Sequence, residues 1–294
     1  MSGYVEGFTR PVARLKKPRQ VVGSEAWAFY DHFWDDYAPI RELGRGASGI
    51  VYLVGRDGKQ YALKVFRDDP ENEVETLVLQ ELSKDCEDWF LNHVATYTIL
   101  DPRTFTRRKA LLMEYFPGVP PDTMPLRPAQ VRSIAEQLLR ALACMHAAGL
   151  VHRDIRPDNM LYNGQRAVLV DFGLSCRSRG DDEIPLCSTL PPDGWRLYLA
   201  PEAKDGQNDA TDIYALGLSL WFLLHPEQLV PIDQVPQTLE QQSQFARDLV
   251  KSISENANPR SPLERLVLDM IQVNPTRRPT ALQAYEWLNK RSAL

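Results

Sequence analysis

Within "LVHRDIRPDNMLY", residues 150–162, Asp154 and Asn159 stand five residues apart, and Asp171 follows in "VLVDFG" after a short apolar run. A carboxylate beside an attacking hydroxyl orients it and accepts its proton. A second carboxylate and a carboxamide are hard oxygen ligands of the kind that hold Mg2+ against phosphate oxygens. Far upstream, "LGRGASGIV" spaces Gly44, Gly46 and Gly49 so that backbone amides can approach an anion where Cβ atoms are absent. Fifteen residues beyond Gly49, Lys64 in "YALK" is placed to neutralise phosphates and needs a carboxylate to hold it. Glu75 is the best candidate, because Val78, Leu79 and Leu82 share its helical face; Glu71, Glu73 and Glu81 read as solvated alternatives. Singly, each of these residues is more often a turn former or a surface charge. Together, in this order, they describe phosphoryl transfer.

The elements that must position them can be read from periodicity. Glycines at this spacing also serve dinucleotide sites, but those require a helix directly after the last glycine. Here "IVYLVG" and "QYALKVF" are strand-like on either side of the turn Arg56-Asp57-Gly58, which predicts a hairpin closing over phosphates. "ENEVETLVLQEL" has helical period and "ALLMEY" is extended again. Beyond Pro117 the text is mostly helical. "RPAQVRSIAEQLLRALACMHAAG" puts Val131, Ile134, Ala135, Leu138, Leu142 and Met145 on one face, with Pro128 near its start and Gly149 past its end. Later helices are predicted at "DATDIYALGLSLWFLL", "LEQQSQFARDLVKSI", "SPLERLVLDMI" and "ALQAYEWLNK". The expected architecture is α+β: an extension over 1–37, a sheet lobe with one main helix over 38–116, and a helical lobe over 117–294, hinged near 114–118. The extension carries Arg10, Arg14, Lys16, Lys17 and Arg19 with no acid between Gly7 and Ser24, and reads as a solvated tail. Trp27, Tyr30 and Trp34 then stand at helical spacing, predicting a short helix packed on the domain.

Composition sets the outer limits. The chain of 294 residues, 44% hydrophobic, can build a sizeable core. Its net charge of −5 and pI near 5.6 exclude general nucleic-acid binding. Four cysteines (Cys86, Cys144, Cys176, Cys187) show no C-x-x-C spacing, so neither a zinc site nor a disulfide framework is expected, and reduced thiols are. The longest apolar run, near "LSLWFLL", is too short to cross a bilayer, and no signal-peptide core is legible; a soluble, cytoplasmic protein is expected.

These motifs resemble the eukaryotic-like protein kinase family, most closely its serine/threonine members, from about residue 39 to 290. The matches are "GRGASGIV", "YALK", "HRDIRPDN", "DFG" and "APE" at Ala200–Glu202. Asp212 in "TDIYALG" looks like the family's buried anchor of the catalytic loop, and Arg278 in "NPTRRPT" like the partner of Glu202. The resemblance implies the two-lobed kinase fold, with ATP and Mg2+ (Mn2+ a possible substitute) as cofactors and a protein as substrate. It makes Asp154 the catalytic base, Asn159 and Asp171 the metal ligands, and Lys64 with Glu75 the phosphate-positioning ion pair. Leu43, Gly44, Gly46, Ala47, Ser48 and Gly49 would cover the nucleotide, with Val51, Ala62 and Leu161 sandwiching its adenine. Met113 would be the gatekeeper, with Glu114 and Phe116 offering backbone hydrogen bonds to the base. His152 and Phe172 would join Leu79 in an internal hydrophobic stack.

Two departures bear on the acceptor. Serine/threonine kinases usually carry lysine at the position of Arg156 and threonine at that of Trp195. Arginine keeps the charge and can fork onto phosphate oxygens. The indole is expected either to stack on Arg156 or to pack beneath the loop. "RPDN" favours serine or threonine acceptors, leaving tyrosine or dual specificity as alternatives, and the short "PGVPPDTMPLRP" segment puts the usual substrate-docking acids in doubt. In the family, Arg153 binds a phosphorylated activation segment; here Ser175, Ser178, Ser188 and Thr189 are candidate acceptors, near Arg177 and Arg179. Asp181, Asp182 and Glu183 could supply that charge instead. A redox pair of Cys176 with Cys187 is the alternative to free thiols. A scaffold with an idle site and a small-molecule kinase are the rival functions. The first predicts loss of Lys64, Asp154, Asn159 or Asp171, none of which is lost; the second generally lacks the "APE" segment and its arginine partner, here Glu202 and Arg278. The oligomeric state is not legible.

Overall fold

A computed structural model describes residues 28–29, 32–67, 71–101, 105–178, 184–187 and 196–290. They fall into two compact units: residues up to Arg67 with Ala95–Leu112, and Asp68–Val94 with the chain from Met113 onward.

The first unit is built on strands β1 (Ala28–Phe29), β2 (Ala38–Arg45), β3 (Gly49–Arg56), β4 (Lys59–Phe66), β5 (His93–Leu100) and β6 (Arg107–Glu114), in the order β1-β5-β6-β4-β3-β2. β3 and β4 are antiparallel, in unbroken register from Gly49↔Phe66 to Arg56↔Lys59. Asp57 and Gly58 join them at φ 51° and 74°, the left-handed pair a two-residue hairpin demands. β2 pairs with β3 through two register shifts, after Pro39 and after Glu42. One sheet face carries the core: Tyr52, Val54, Leu63, Val65, Ile99, Ala110 and Leu112, closed by Phe33 and Tyr37.

The aromatic segment differs from expectation. A short strand, β1, pairs parallel with β5, and the helix is one turn only, α1 (Phe33–Asp36). Trp27 and Tyr30 lie outside the described residues, as does the basic tail. Phe33 and Tyr37 are the buried anchors, stacked at 4.6 Å, while Trp34 donates its indole N–H to Leu100 O at 2.7 Å. An i,i+4 pair of rings fills the sheet face, so one turn suffices.

The second unit holds α2 (Glu71–Asp85), α3 (Pro128–Ala147), the short strands β7 (Leu150–Val151), β8 (Met160–Tyr162), β9 (Ala167–Leu169) and β10 (Cys176–Arg177), then α4 (Asp209–Leu224), α5 (Leu239–Asn256), α6 (Pro262–Met270) and α7 (Ala281–Lys290). α3 starts on Pro128 and stops before Gly149 at φ 75°, and its expected apolar face is buried. α4 is buried from Thr211 to Leu223, as an all-round apolar helix must be. Asn208 caps it by accepting from Ala210 N at 2.9 Å. α3 packs on α7, and α4 on α6.

By compactness α2 groups with the second unit. The cysteines explain part of this and correct the expectation of reduced thiols. Cys86, just past α2, is bonded to Cys144 on α3, and Cys176 to Cys187, with Cα separations of 6.0 and 5.0 Å. No cysteine is free. The Cys86–Cys144 pair spans 58 residues, so helix packing makes it and local spacing could not reveal it.

Candidate active site

The loop between β7 and β8 is held from below by one carboxylate. Asp212, 1% exposed in α4, accepts from His152 N at 2.8 Å, Arg153 N at 2.9 Å and the His146 ring at 2.9 Å. Arg153 adopts φ 71°, a left-handed conformation that costs a side-chain-bearing residue free energy and persists only when its surroundings enforce it. Asp212 is that enforcement. Arg153 itself is buried and donates Nε to Gln207 Oε1 at 2.7 Å. His146 and Gln207 were not singled out in the sequence, since neither belongs to a local motif.

Asn159 reaches back over the turn and donates to both Asp154 O at 2.8 Å and Asp154 Oδ2 at 2.6 Å. Arg156 forks between two acids: its Nε lies 3.5 Å from Asp154 Oδ1, and its Nη1 donates to Asp158 Oδ2 at 2.8 Å. A lysine ammonium offers no such fork. Burial raises the proton affinity of Asp154 above that of an ordinary aspartate and the Asp171 charge adds to it, while Arg156, His152 and the Asn159 hydrogen bond oppose it. Asp122, on the one-turn helix Pro121–Thr123, is likewise raised by burial and by the neighbouring Asp158 charge.

The β8–β9 hairpin pairs Met160 with Leu169, and Val170 N donates to Asn159 O at 3.0 Å. This sets Asn159 and Asp171 at adjacent strand ends. Asp171 is also left-handed, at φ 66°. Phe172 is buried against the His152 ring at 5.2 Å and the Phe90 ring at 5.7 Å. The stack thus contains His152 and Phe172 as expected, plus Phe90, which sequence reasoning missed; Leu79 is buried in the same unit. At Gly173 a Cβ would stand 3.6 Å from Asp171 Oδ1 and 3.9 Å from Glu75 Oε2, so buried Glu75 of α2 reaches the same turn.

Among the described residues, no group of three or more His, Cys, Asp and Glu side chains could hold a metal ion by itself. The donors present, the Asp171 carboxylate and the Asn159 amide, are the hard oxygens that suit Mg2+ when phosphates complete its shell. They fit the expected ion.

Met113, Phe116 and Leu161 cluster with Leu91, Val168 and Val170. Glu114 donates its amide to Asn92 O at 2.9 Å, and its carboxylate takes the Asn92 amide groups at 3.2 Å.

In the first unit, strand alternation puts Val51, Ala62 and Lys64 on the sheet face opposite the aromatic core, with Val51 directly across from Lys64. Lys64 is 5% exposed, its Nζ 5.5 Å from the Phe66 ring. The glycines differ in kind. A Cβ on Gly49 would meet Val65 O at 2.4 Å, so β4 itself requires glycine there. Around Gly44 and Gly46 nothing lies within 4 Å, and internal packing gives no reason for either glycine. Leu43, Ala47 and Ser48 complete this bend, where Gly46 N donates to Gly49 O at 3.0 Å. Trp195, Ser188, Thr189, Arg179 and Asp181–Glu183 lie outside the described residues, and with them the stacking of Trp195 on Arg156.

Further along, Arg278 closes a bidentate ion pair with Glu202 at 2.5 and 2.9 Å while donating to Ala210 O at 2.8 Å. The Asp154–Asn159 pairing, the Asp212 anchor beneath the loop and this remote bidentate pair are the arrangement that the kinase resemblance calls for. The family described as "Protein kinase domain" matches residues 37–288, and the chain belongs to it, with the two-lobed protein kinase fold. It is 30% identical over 298 residues to the "Phosphorylase b kinase gamma catalytic chain, liver/testis isoform" of Mus musculus, covering 88% of this chain and 68% of that one. It is also similar to "Probable serine/threonine-protein kinase PknB" of Lactococcus lactis, 28% identical over 80% of this chain and 38% of that protein. "Serine/threonine-protein kinase D" of Synechocystis is 27% identical over 85% of this chain and 51% of its own length. The chain is a protein kinase, with serine/threonine kinases as relatives.

Proposed function

We propose that this kinase transfers the γ-phosphoryl group of ATP, with Mg2+, to serine or threonine hydroxyls of proteins, itself included. The observation that carries the reading is the Asp154 carboxylate, raised in proton affinity by burial and held by Asn159 next to Asp171. In this scheme Asp154 accepts the hydroxyl proton as the acceptor oxygen approaches. Asn159 and Asp171 would hold the metal, which would supply positive charge to offset that of the phosphates. Arg156, fixed by Asp158, lends positive charge beside the base. As the kinase resemblance implies, Leu43, Gly44, Gly46, Ala47, Ser48 and Gly49 would cover the phosphates, Lys64 would position them with Glu75 as its expected partner, and Val51, Ala62 and Leu161 would enclose the adenine. Met113, Glu114 and Phe116 line its edge.

The test is Mg-ATP with a mixed serine, threonine and tyrosine peptide library, comparing the native chain with Asp154→Ala. Serine/threonine products that vanish in the variant support the reading; equal labelling by both sinks it. Intact mass after incubation with Mg-ATP reads self-phosphorylation directly. A cytoplasmic location, the expectation from the sequence, would expose the two disulfides to reduction, since such compartments keep thiols reduced.

A further inference from the structure

The last turns of α2 are fastened to the second unit at two points, and one of the fasteners is itself braced. Arg177 of β10 donates Nη2 to Glu81 Oε2 of α2 at 2.5 Å, the side chains being 12% and 27% exposed. The same guanidinium donates Nη1 to Ala148 O at the end of α3, at 3.1 Å. Beyond Glu81, the Cys86–Cys144 disulfide ties the end of α2 to α3. Next to Arg177, the Cys176–Cys187 disulfide closes a short loop that Arg177 N→Pro185 O at 2.8 Å and Cys187 N→Arg177 O at 3.0 Å also frame. Glu75 lies fewer than two helical turns before Glu81, at the Asp171–Gly173 turn.

A part-exposed ion pair is ordinarily worth little, because holding two long side chains in one geometry costs entropy. Here covalent bonds on both sides have already removed much of that freedom, so the pair can act as a fastening. Arg177 and Arg153 are also two of the three arginines nominated in the sequence to receive a phosphate, Arg179 lying outside the described residues. Instead they serve Glu81 and Gln207.

We propose that Arg177 and Glu81 are positioning residues that, braced by the two disulfides, clamp α2 and hold Glu75 at the Asp171–Gly173 turn, and that a dithiol opens this clamp. In the opening step each S–S bond breaks, its two sulfurs take up two electrons and two protons, and the dithiol is oxidised to its own disulfide. Cys86 and Cys176 are buried while Cys144 and Cys187 are half-buried, so each bond has one sulfur accessible for attack. The effect on rate rests on the phosphotransfer reading; the effect on α2 does not.

The experiment uses the full chain purified without reductant, the same chain treated with dithiothreitol and alkylated with iodoacetamide, and the variants Arg177→Gln, Glu81→Gln and the charge swap Glu81→Arg/Arg177→Glu. Hydrogen exchange of the α2 amides is read beside kcat and KM. The expected result is α2 exchange at least tenfold faster in the reduced chain and in both single variants. kcat falls by about 10- to 100-fold with the peptide KM unchanged, the loss that misplacing a positioning element produces. The charge swap restores most of both. Alkylation of four thiols without prior reduction, or α2 exchange that stays at the native rate in the reduced chain and single variants, overturns the proposal. Loosened α2 in a chain that transfers no phosphate even when oxidised supports the clamp and removes the phosphotransfer reading instead.

Discussion

The β3–β4 hairpin and the loop over residues 150–162 both present chemistry, yet they are held by opposite means. In the hairpin, backbone register does everything: eight consecutive pairs fix which side Val51, Ala62 and Lys64 face, and every partner lies within the same short stretch of chain. Between β7 and β8, over residues 152–159, no ladder sets the geometry. Arg153 and Asp171 sit in left-handed conformations, and the main constraint is a carboxylate 59 and 60 residues downstream. A ladder tolerates the loss of one side chain because its neighbours still pair. A loop pinned at one point does not.

The sharpest way to break this contrast is Asp212→Ala. The substitution leaves two buried amides and His146 without their shared acceptor, and hydrogen bonds to a charged group are worth about 1.5–3 kcal/mol each. We expect a loss of about 3–5 kcal/mol in urea unfolding, together with loss of phosphotransfer. A variant that keeps the native urea midpoint would show that the loop is held by something other than Asp212.

The hairpin should yield a smaller and more divided response. Gly49→Ala drives a Cβ to 2.4 Å from Val65 O and must spread β3 from β4, at a cost of about 1–3 kcal/mol. Gly44→Ala and Gly46→Ala meet nothing, so their unfolding free energies should stay within about 0.5 kcal/mol of native. Their expected effect is on the KM for ATP, raised several-fold by a methyl group where phosphates approach. If all three variants lowered stability alike, the separation of a packing glycine from ligand-facing glycines would be wrong.

The same contrast explains what could be read from the sequence. The hairpin, its turn at Asp57-Gly58 and the face carrying Lys64 follow from alternation and local turn chemistry, and were legible. So were Asp212 beneath the loop and the Glu202–Arg278 pair, because each sits in a short stretch whose neighbours identify it. What escaped depends on distant partners. His146 matters because α3 lies beside α4, and Phe90 because a bend after α2 meets Phe172. The Cys86–Cys144 disulfide and the Arg177–Glu81 pair join residues 58 and 96 apart, and no spacing rule connects them, whereas the Cys176–Cys187 pair, 11 apart, was the alternative weighed against free thiols. The aromatic segment before β2 was misread in form because its rings answer to a sheet face and not to a helix of their own.

The finest separation between the two regions concerns charge. Strand register places Lys64, whereas Asp154 carries an ionisation penalty created by its burial in the loop that holds it. Because burial raises its folded-state pKa above the ordinary 3.8, the stability its proton supplies is fully present below that value and is lost as pH rises through the folded value. Above it, an ionised, largely buried carboxylate costs stability that Asp154→Asn would recover. Differential scanning calorimetry from pH 4 to pH 7 should therefore show the variant melting about 1–3 °C above native at pH 7, with the gap closing toward pH 4. Native kcat should show the matching limb, falling as acid protonates Asp154 at a pH above the normal aspartate range, while the variant is inactive throughout. A gap that stayed constant with pH, or reversed sign, would mean that the contacts from Arg156 and Asn159 outweigh burial, and that the loop favours the charged base instead of straining it.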